Sequence, residues 1–224
     1  MKDVFPAYYP MDGDEFRELW TVAHFVLDAS ALLDLYRYPH LRDSYFKALR
    51  QIGDRLWVPH QVMLEYLRNR EKVIRQKMNA VAEAKKATKE SKTRIERALR
   101  KADPTLDVDS ILKKTSEALA EVEEHVENAL APWQSLLTKD TIRHEIEALF
   151  LGKIGRPYSS ERLLQIYRDG ELRYARKIPP GYEDLGRKDN SYREYGDLVL
   201  WNQIIDHAKQ SKKPIIFVTG EAKS

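Results

Sequence analysis

Four acidic residues fall where secondary-structure elements should begin or end. Asp28 closes the apolar run Phe25-Val26-Leu27. Glu65 lies early in a helical stretch entered from Leu56-Trp57-Val58-Pro59. Asp197 opens the helix Gly196-Asp197-Leu198-Val199-Leu200-Trp201, and Glu221 follows the run Pro214-Ile215-Ile216-Phe217-Val218-Thr219. If these runs are strands of one parallel sheet, their carboxyl ends share one rim, where open α/β sheets place their ligands. Carboxylates on one rim repel unless a cation neutralises them. Oxygen-only donors suit Mg²⁺ or Mn²⁺. Two such ions are the usual apparatus for phosphodiester hydrolysis. Each acid also has a plain alternative. Asp28 can cap the next helix, Asp197 suits a helix dipole without metal, and Glu65 and Glu221 can be solvated. Arg187 and Lys188, in the polar loop before Asp197, are the phosphate-binding candidates. His60, beside Pro59, reads first as a capping or packing residue, with a phosphate contact as the alternative.

The elements that must position these residues follow from hydrophobic patterning. Short apolar runs around 25–27, 56–58 and 214–219 fit strands buried on both faces, as in a parallel sheet. A lead-in helix over 14–20 would pack Phe16, Leu19 and Trp20 on the body. Tyr45, Phe46, Leu49 and Ile52 recur at helical spacing and stop at Gly53. More helical pattern covers 138–176. The loop from Ile178 to Asp189 is too rich in proline, glycine and charge to be core.

From His60 to about Lys101 there is no proline or glycine, and helix formers dominate. Asp103-Pro104 breaks the run, and a second helix covers roughly 107–137. Its Val108, Leu112, Thr115, Leu119, Val122, Val126 and Ala129 alternate steps of four and three, the seam of a coiled coil. The expected structure is an antiparallel helical hairpin, about residues 70–135, inserted in a single 1–224 domain. Its first arm carries Lys85, Lys86, Lys89, Lys92, Arg94, Arg97, Arg100 and Lys101. Its second carries Glu117, Glu121, Glu123, Glu124 and Glu127. The favoured reading is a solvated hairpin with weak cross-arm ion pairs. The alternative is a basic ridge holding phosphates. The hairpin is also where a second copy or a partner protein would bind.

The bulk numbers narrow the class. At 224 residues the chain buries one sizeable core. It has no cysteine, which removes disulfides, thiolate zinc and cysteine nucleophiles and fits a cytoplasmic protein. No apolar run is long enough for a membrane span, and the acidic, aromatic N-terminus lacks a secretion signal. A net charge of +3 is too mild to argue for a nucleic-acid partner by itself.

Four segments, in order, resemble the PIN-like nucleases, specifically the bacterial group with a large helical insertion. They are FVLDASALLDLYRY, LWVPHQVMLEYLRNR, IPPGYEDLGRKD followed by YGDLVLWNQII, and PIIFVTGE. The resemblance implies a three-layer α/β/α fold with a parallel central sheet, Mg²⁺ or Mn²⁺, and cleavage of RNA or DNA. By motif position it implies Asp28, Glu65 and Asp197 as the catalytic, metal-binding acids, with Glu221 as a further metal ligand. Ser30 and Thr219 would lie beside them on the substrate side. The chain departs from the pattern at Thr219-Gly220-Glu221, where the family has Thr and two aspartates. It also ends where the family continues with another helix and strand, so either the chain is a fragment that lacks the C-terminal part of the fold or the site is incomplete. These departures keep a degenerate scaffold or partner-binding module open as the alternative function. A haloacid-dehalogenase-like phosphatase is rejected, because its general acid belongs two residues after the first aspartate, where this chain has Ser30.

Overall fold

The computed structural model of the chain describes residues 1–102, 107–184, 186 and 193–220. Arg187, Lys188 and Glu221 of the expected site lie outside the described residues. Asp12 opens helix α1 (Gly13–Val22) with a capping box, its carboxylate accepting from Asp14 and Glu15 while Glu15 reaches back to its backbone. There follow β1 (His24–Leu27), α2 (Ala29–Arg37), α3 (Arg42–Ile52), β2 (Leu56–Trp57) and α4 (His60–Ala102). Helices α5 (Val108–Thr138), α6 (Thr141–Leu149), α7 (Ser160–Ala175) and α8 (Gly196–Ser211) and strand β3 (Ile215–Val218) complete the order. The chain divides into two compact units, Met1–Leu67 with Ile146–Ser224, and Arg68–Glu145.

The first unit holds a three-stranded parallel sheet in the order β2-β1-β3. Phe25 pairs with Leu56 and with Ile216, and Leu27 with Val218. As the central strand, β1 has both neighbours filled, and Phe25, Val26 and Leu27 are fully buried. An unbroken apolar run is what such a strand requires. The strand edge at Val58 is extended by one bridge to Ile154, which the sequence patterning missed. Helix α2 buries Leu32, Leu35 and Tyr36, and the Tyr36 hydroxyl meets that of Tyr66 at 2.9 Å. A second apolar cluster joins Ile166 and Tyr174 of α7 to Tyr195, Leu198 and Val199. Helix α1 differs from expectation: it buries no residue, and Phe16 and Trp20 are half-exposed. The Trp20 ring reaches the sheet, edge-on to Phe25 at 4.9 Å. At the amino-terminal edge of β1, His24 Nδ1 lies 2.8 Å from His207 Nε2, and the His207 ring stacks on Trp57 at 3.8 Å.

The second unit is built from α4 after Leu67, α5 and the start of α6. Arg70 donates to Asp140 Oδ2 at 2.6 Å, with both side chains nearly buried, and Asp140 Oδ1 accepts from the Arg143 backbone. Ion pairs join α4 to α5 at Lys85–Glu127 and Arg100–Asp109. The heptad row expected on α5 is kept through Leu119: Val108, Leu112, Thr115 and Leu119 are half-buried. Beyond it Val122 and Ala129 are exposed, and the half-buried positions are Glu123, Val126 and Leu130. A helix of 3.6 residues per turn drifts off a strict heptad unless a supercoil absorbs the difference.

Candidate functional site

Asp28 stands at the carboxyl end of the central strand and at the N-cap of α2, so the capping and rim readings are both realised. Its backbone N–H donates to Val218, which locks it to the end of β3. Its Oδ1 accepts from the Ala29 backbone at 2.7 Å. Its Oδ2 accepts from Ser30 Oγ at 2.6 Å and, at 3.5 Å, from Thr219 Oγ1. Ser30 Oγ in turn accepts from the Gly220 N–H at 3.1 Å. The two strand ends and the first turn of α2 are thus tied together through Ser30. Charge-assisted bonds of this kind fix a carboxylate's orientation as well as stabilising it.

The structure adds three residues that the sequence reading passed over. Asp34, one helical turn beyond Ser30, lies against Gly220: a Cβ at position 220 would stand 2.3 Å from Asp34 Oδ2 and 3.4 Å from the Ser30 carbonyl carbon. Glycine is therefore the residue that leaves room for the Asp34 carboxylate. Arg37 pairs with Asp34 Oδ1 at 3.0 Å and reaches the Ser30 carbonyl at 3.5 Å. The Tyr45 hydroxyl is pushed up to about 12, first by burial and then by the negative charge of Asp34. The signal for Asp34 was present as a four-residue step from Ser30, which puts both on one face of α2.

Asp197 lies in the first turn of α8, half-buried beneath the loop that carries Gly181. A Cβ on Gly181 would stand 2.8 Å from the Asp197 side chain and 2.6 Å from the Tyr174 hydroxyl, and its φ of +80° is one that side chains rarely adopt. Glu65 lies four residues after Gln61, on the same face of α4. Gln61 donates its backbone N–H to Gln203 and abuts Gly196, beside Asp197. Among the described residues, no three acidic or histidine side chains converge to hold a metal ion. The structure thus gathers Asp28, Ser30, Thr219, Gly220 and Asp34 into one network, and places Asp197 and Glu65 on the neighbouring elements α8 and α4.

The sequence model of the PIN-like domain family matches residues 24–224. The chain belongs to that family. The match begins at β1 and includes both the Asp28 network and Asp197. No curated protein and no solved structure gave a match. No helix among the described residues is long and apolar enough to cross a membrane.

Proposed function

We propose that the chain is a metal-dependent nuclease that hydrolyses phosphodiester bonds of RNA or DNA. Membership of the PIN-like family, whose fold is of nuclease type, carries this reading. What supports it locally is Asp28, a carboxylate fixed at the end of the central strand by Ser30, Ala29 and Val218. The donor chemistry, carboxylate oxygens with no cysteine in the chain, fits Mg²⁺ or Mn²⁺. Asp28, Glu65 and Asp197 would hold the ion, with Glu221 as a further ligand. When bound, such an ion neutralises the rim, activates water and stabilises the leaving oxygen. Ser30 keeps Asp28 oriented, and Arg187, Lys188 and Thr219 bind substrate.

In this reading the chain is a single PIN-like domain of three α/β/α layers. Helices α4 and α5 form an inserted antiparallel hairpin over about 70–135. Its ion pairs support that orientation: as the α4 partner advances from Lys85 to Arg100, the α5 partner retreats from Glu127 to Asp109. A cytoplasmic location completes the proposal. The second reading, a scaffold that has lost catalysis, is favoured by Gly220 in place of an acid and by the lack of a three-ligand cluster among the described residues. Incubating the protein with labelled RNA and DNA in Mn²⁺ or Mg²⁺ separates the two. Cleavage that is abolished by Asp28→Asn supports the nuclease. No cleavage of any substrate, with Asp28→Asn as stable as wild type, supports the scaffold.

A further inference from the structure

Within the second unit, one face of α4 carries a line of cations. Arg75, Asn79, Ala82, Lys86, Lys89, Thr93, Arg97 and Arg100 step by four or three, and every one is exposed. At 3.6 residues per turn these positions fall within an arc of about 80°. They run for about 37 Å along the helix, near the length of one turn of duplex or about eleven nucleotides of one strand. The cations repeat after eleven residues, Arg75 to Lys86 to Arg97 and Lys89 to Arg100, which is close to three whole turns. The line itself carries no carboxylate.

The acids of α5 pair with little of it. Among the described residues, the ion pairs that cross from α5 to α4 involve Glu127 with Lys85, which lies off the line, and Asp109 with Arg100 at 3.8 Å. Lys89 and Arg97 have no acidic partner among the described residues. Lys86, Arg75 and Arg100 meet Glu90, Glu71 and Glu96 of their own helix at 3.8, 3.7 and 3.3 Å, in exposed pairs that hold little energy. Among the described residues, Arg100 is the one cation of this line that α5 pairs. An exposed run of like charge with donors (Asn79, Thr93) set between its cations matches a polyanion whose charges are regularly spaced.

We infer that the Arg75–Arg100 face of α4 is a docking surface for a nucleic-acid backbone. The choice of nucleic acid over other polyanions rests on the proposed nuclease reading; the basic face does not. Such a surface binds without reading sequence, because phosphate contacts position rather than specify.

The test is fluorescence anisotropy in EDTA, where binding is separated from cleavage. The probes are labelled single strands and duplexes of about thirty nucleotides, long enough to cover the face. Five cations give an affinity that falls with a log–log salt slope of about 3.5 to 4.5, or about a hundredfold or more between ~50 and ~200 mM salt. Lys89→Glu with Arg97→Glu is expected to weaken binding about tenfold or more and to lower the slope by about 1.4 to 1.8. Lys89→Gln with Arg97→Gln should show the same lowered slope, with helical content and melting unchanged in both. Absence of wild-type binding overturns the inference. So do double variants that bind like wild type, or competition by polyglutamate as strong as by nucleic acid of equal charge. Wild type that binds in this manner but fails to cut with Mn²⁺ leaves the surface standing and removes the nuclease reading. Cutting with unaltered binding by the variants does the reverse.

Discussion

Replacing Gly181 by alanine should separate backbone strain from contact at the Asp197 site. The residue sits at φ +80°, and a methyl there would lie 2.6 Å from the Tyr174 hydroxyl and 2.8 Å from the Asp197 side chain. The left-handed conformation costs an alanine about 1 kcal/mol. Forcing apart neighbours that are already in contact costs about 1–3 kcal/mol more. The stiffer unfolded chain returns about 0.4–1 kcal/mol. The net loss is about 2 kcal/mol, which lowers the melting temperature of a chain this size by about 4–8 °C. Gly152 supplies the control. It has a φ of +74° but nothing within 4 Å of its would-be Cβ, so Gly152→Ala bears the strain alone. Its expected loss is under about 1 kcal/mol. Thermal melts of the two variants beside wild type read the difference directly. If both lose the same stability, the Gly181 loop does not pack on Asp197, and the placement of that acid is refuted. Under the nuclease reading, Gly181→Ala should also slow cleavage while Gly152→Ala leaves it unchanged.

Two further outcomes concern stability. Asp140 is 97% buried at its side chain, bonded to Arg70 and capping α6, so Asp140→Ala should cost about 3–5 kcal/mol by removing the nearest carboxylate from the nearly buried guanidinium, whose other acid, Glu71, is exposed and 3.7 Å away. A denaturant melt showing less than about 1 kcal/mol would place that pair in water. The His207 imidazole is held down from 6.5 to about 4, first by burial and then by His24; His24 is lowered too, by burial and then by Lys213 and Arg55. The folded state thus binds protons less readily than the unfolded chain. Stability should fall as pH drops from about 6.5 towards about 4, with no further loss from His207 below that. His207→Phe, which keeps a ring on Trp57, should flatten the acid limb of a melting-temperature profile; an unaltered limb would contradict the assignment.

Much of this arrangement was legible in the sequence, for identifiable reasons. The central strand announces itself because burial on both faces demands the unbroken Phe25-Val26-Leu27, and the acid at its end has no apolar role. The length of α4 follows from its 43 residues without glycine or proline. Gly53, at φ +62°, ends α3 where the pattern stops. What stayed hidden depended on contacts between distant residues. The Val58–Ile154 bridge is a single pair with no periodicity to reveal it. Asp34, set among leucines, reads as a surface residue until Gly220 is seen to make room for its carboxylate. The α5 seam was legible as far as Leu119, after which the half-buried row passes to Glu123, Val126 and Leu130, as a helix of 3.6 residues per turn drifts off a strict heptad.

The most direct test of the central claim is cleavage of labelled RNA and DNA by the purified chain in Mn²⁺ or Mg²⁺, comparing wild type with Asp28→Asn and Asp197→Asn. The account predicts metal-dependent cutting, blocked by EDTA and lost in both variants, with melting curves that remain cooperative. Cutting that persists in folded Asp28→Asn, or a wild type that cuts neither nucleic acid in either metal, would contradict it.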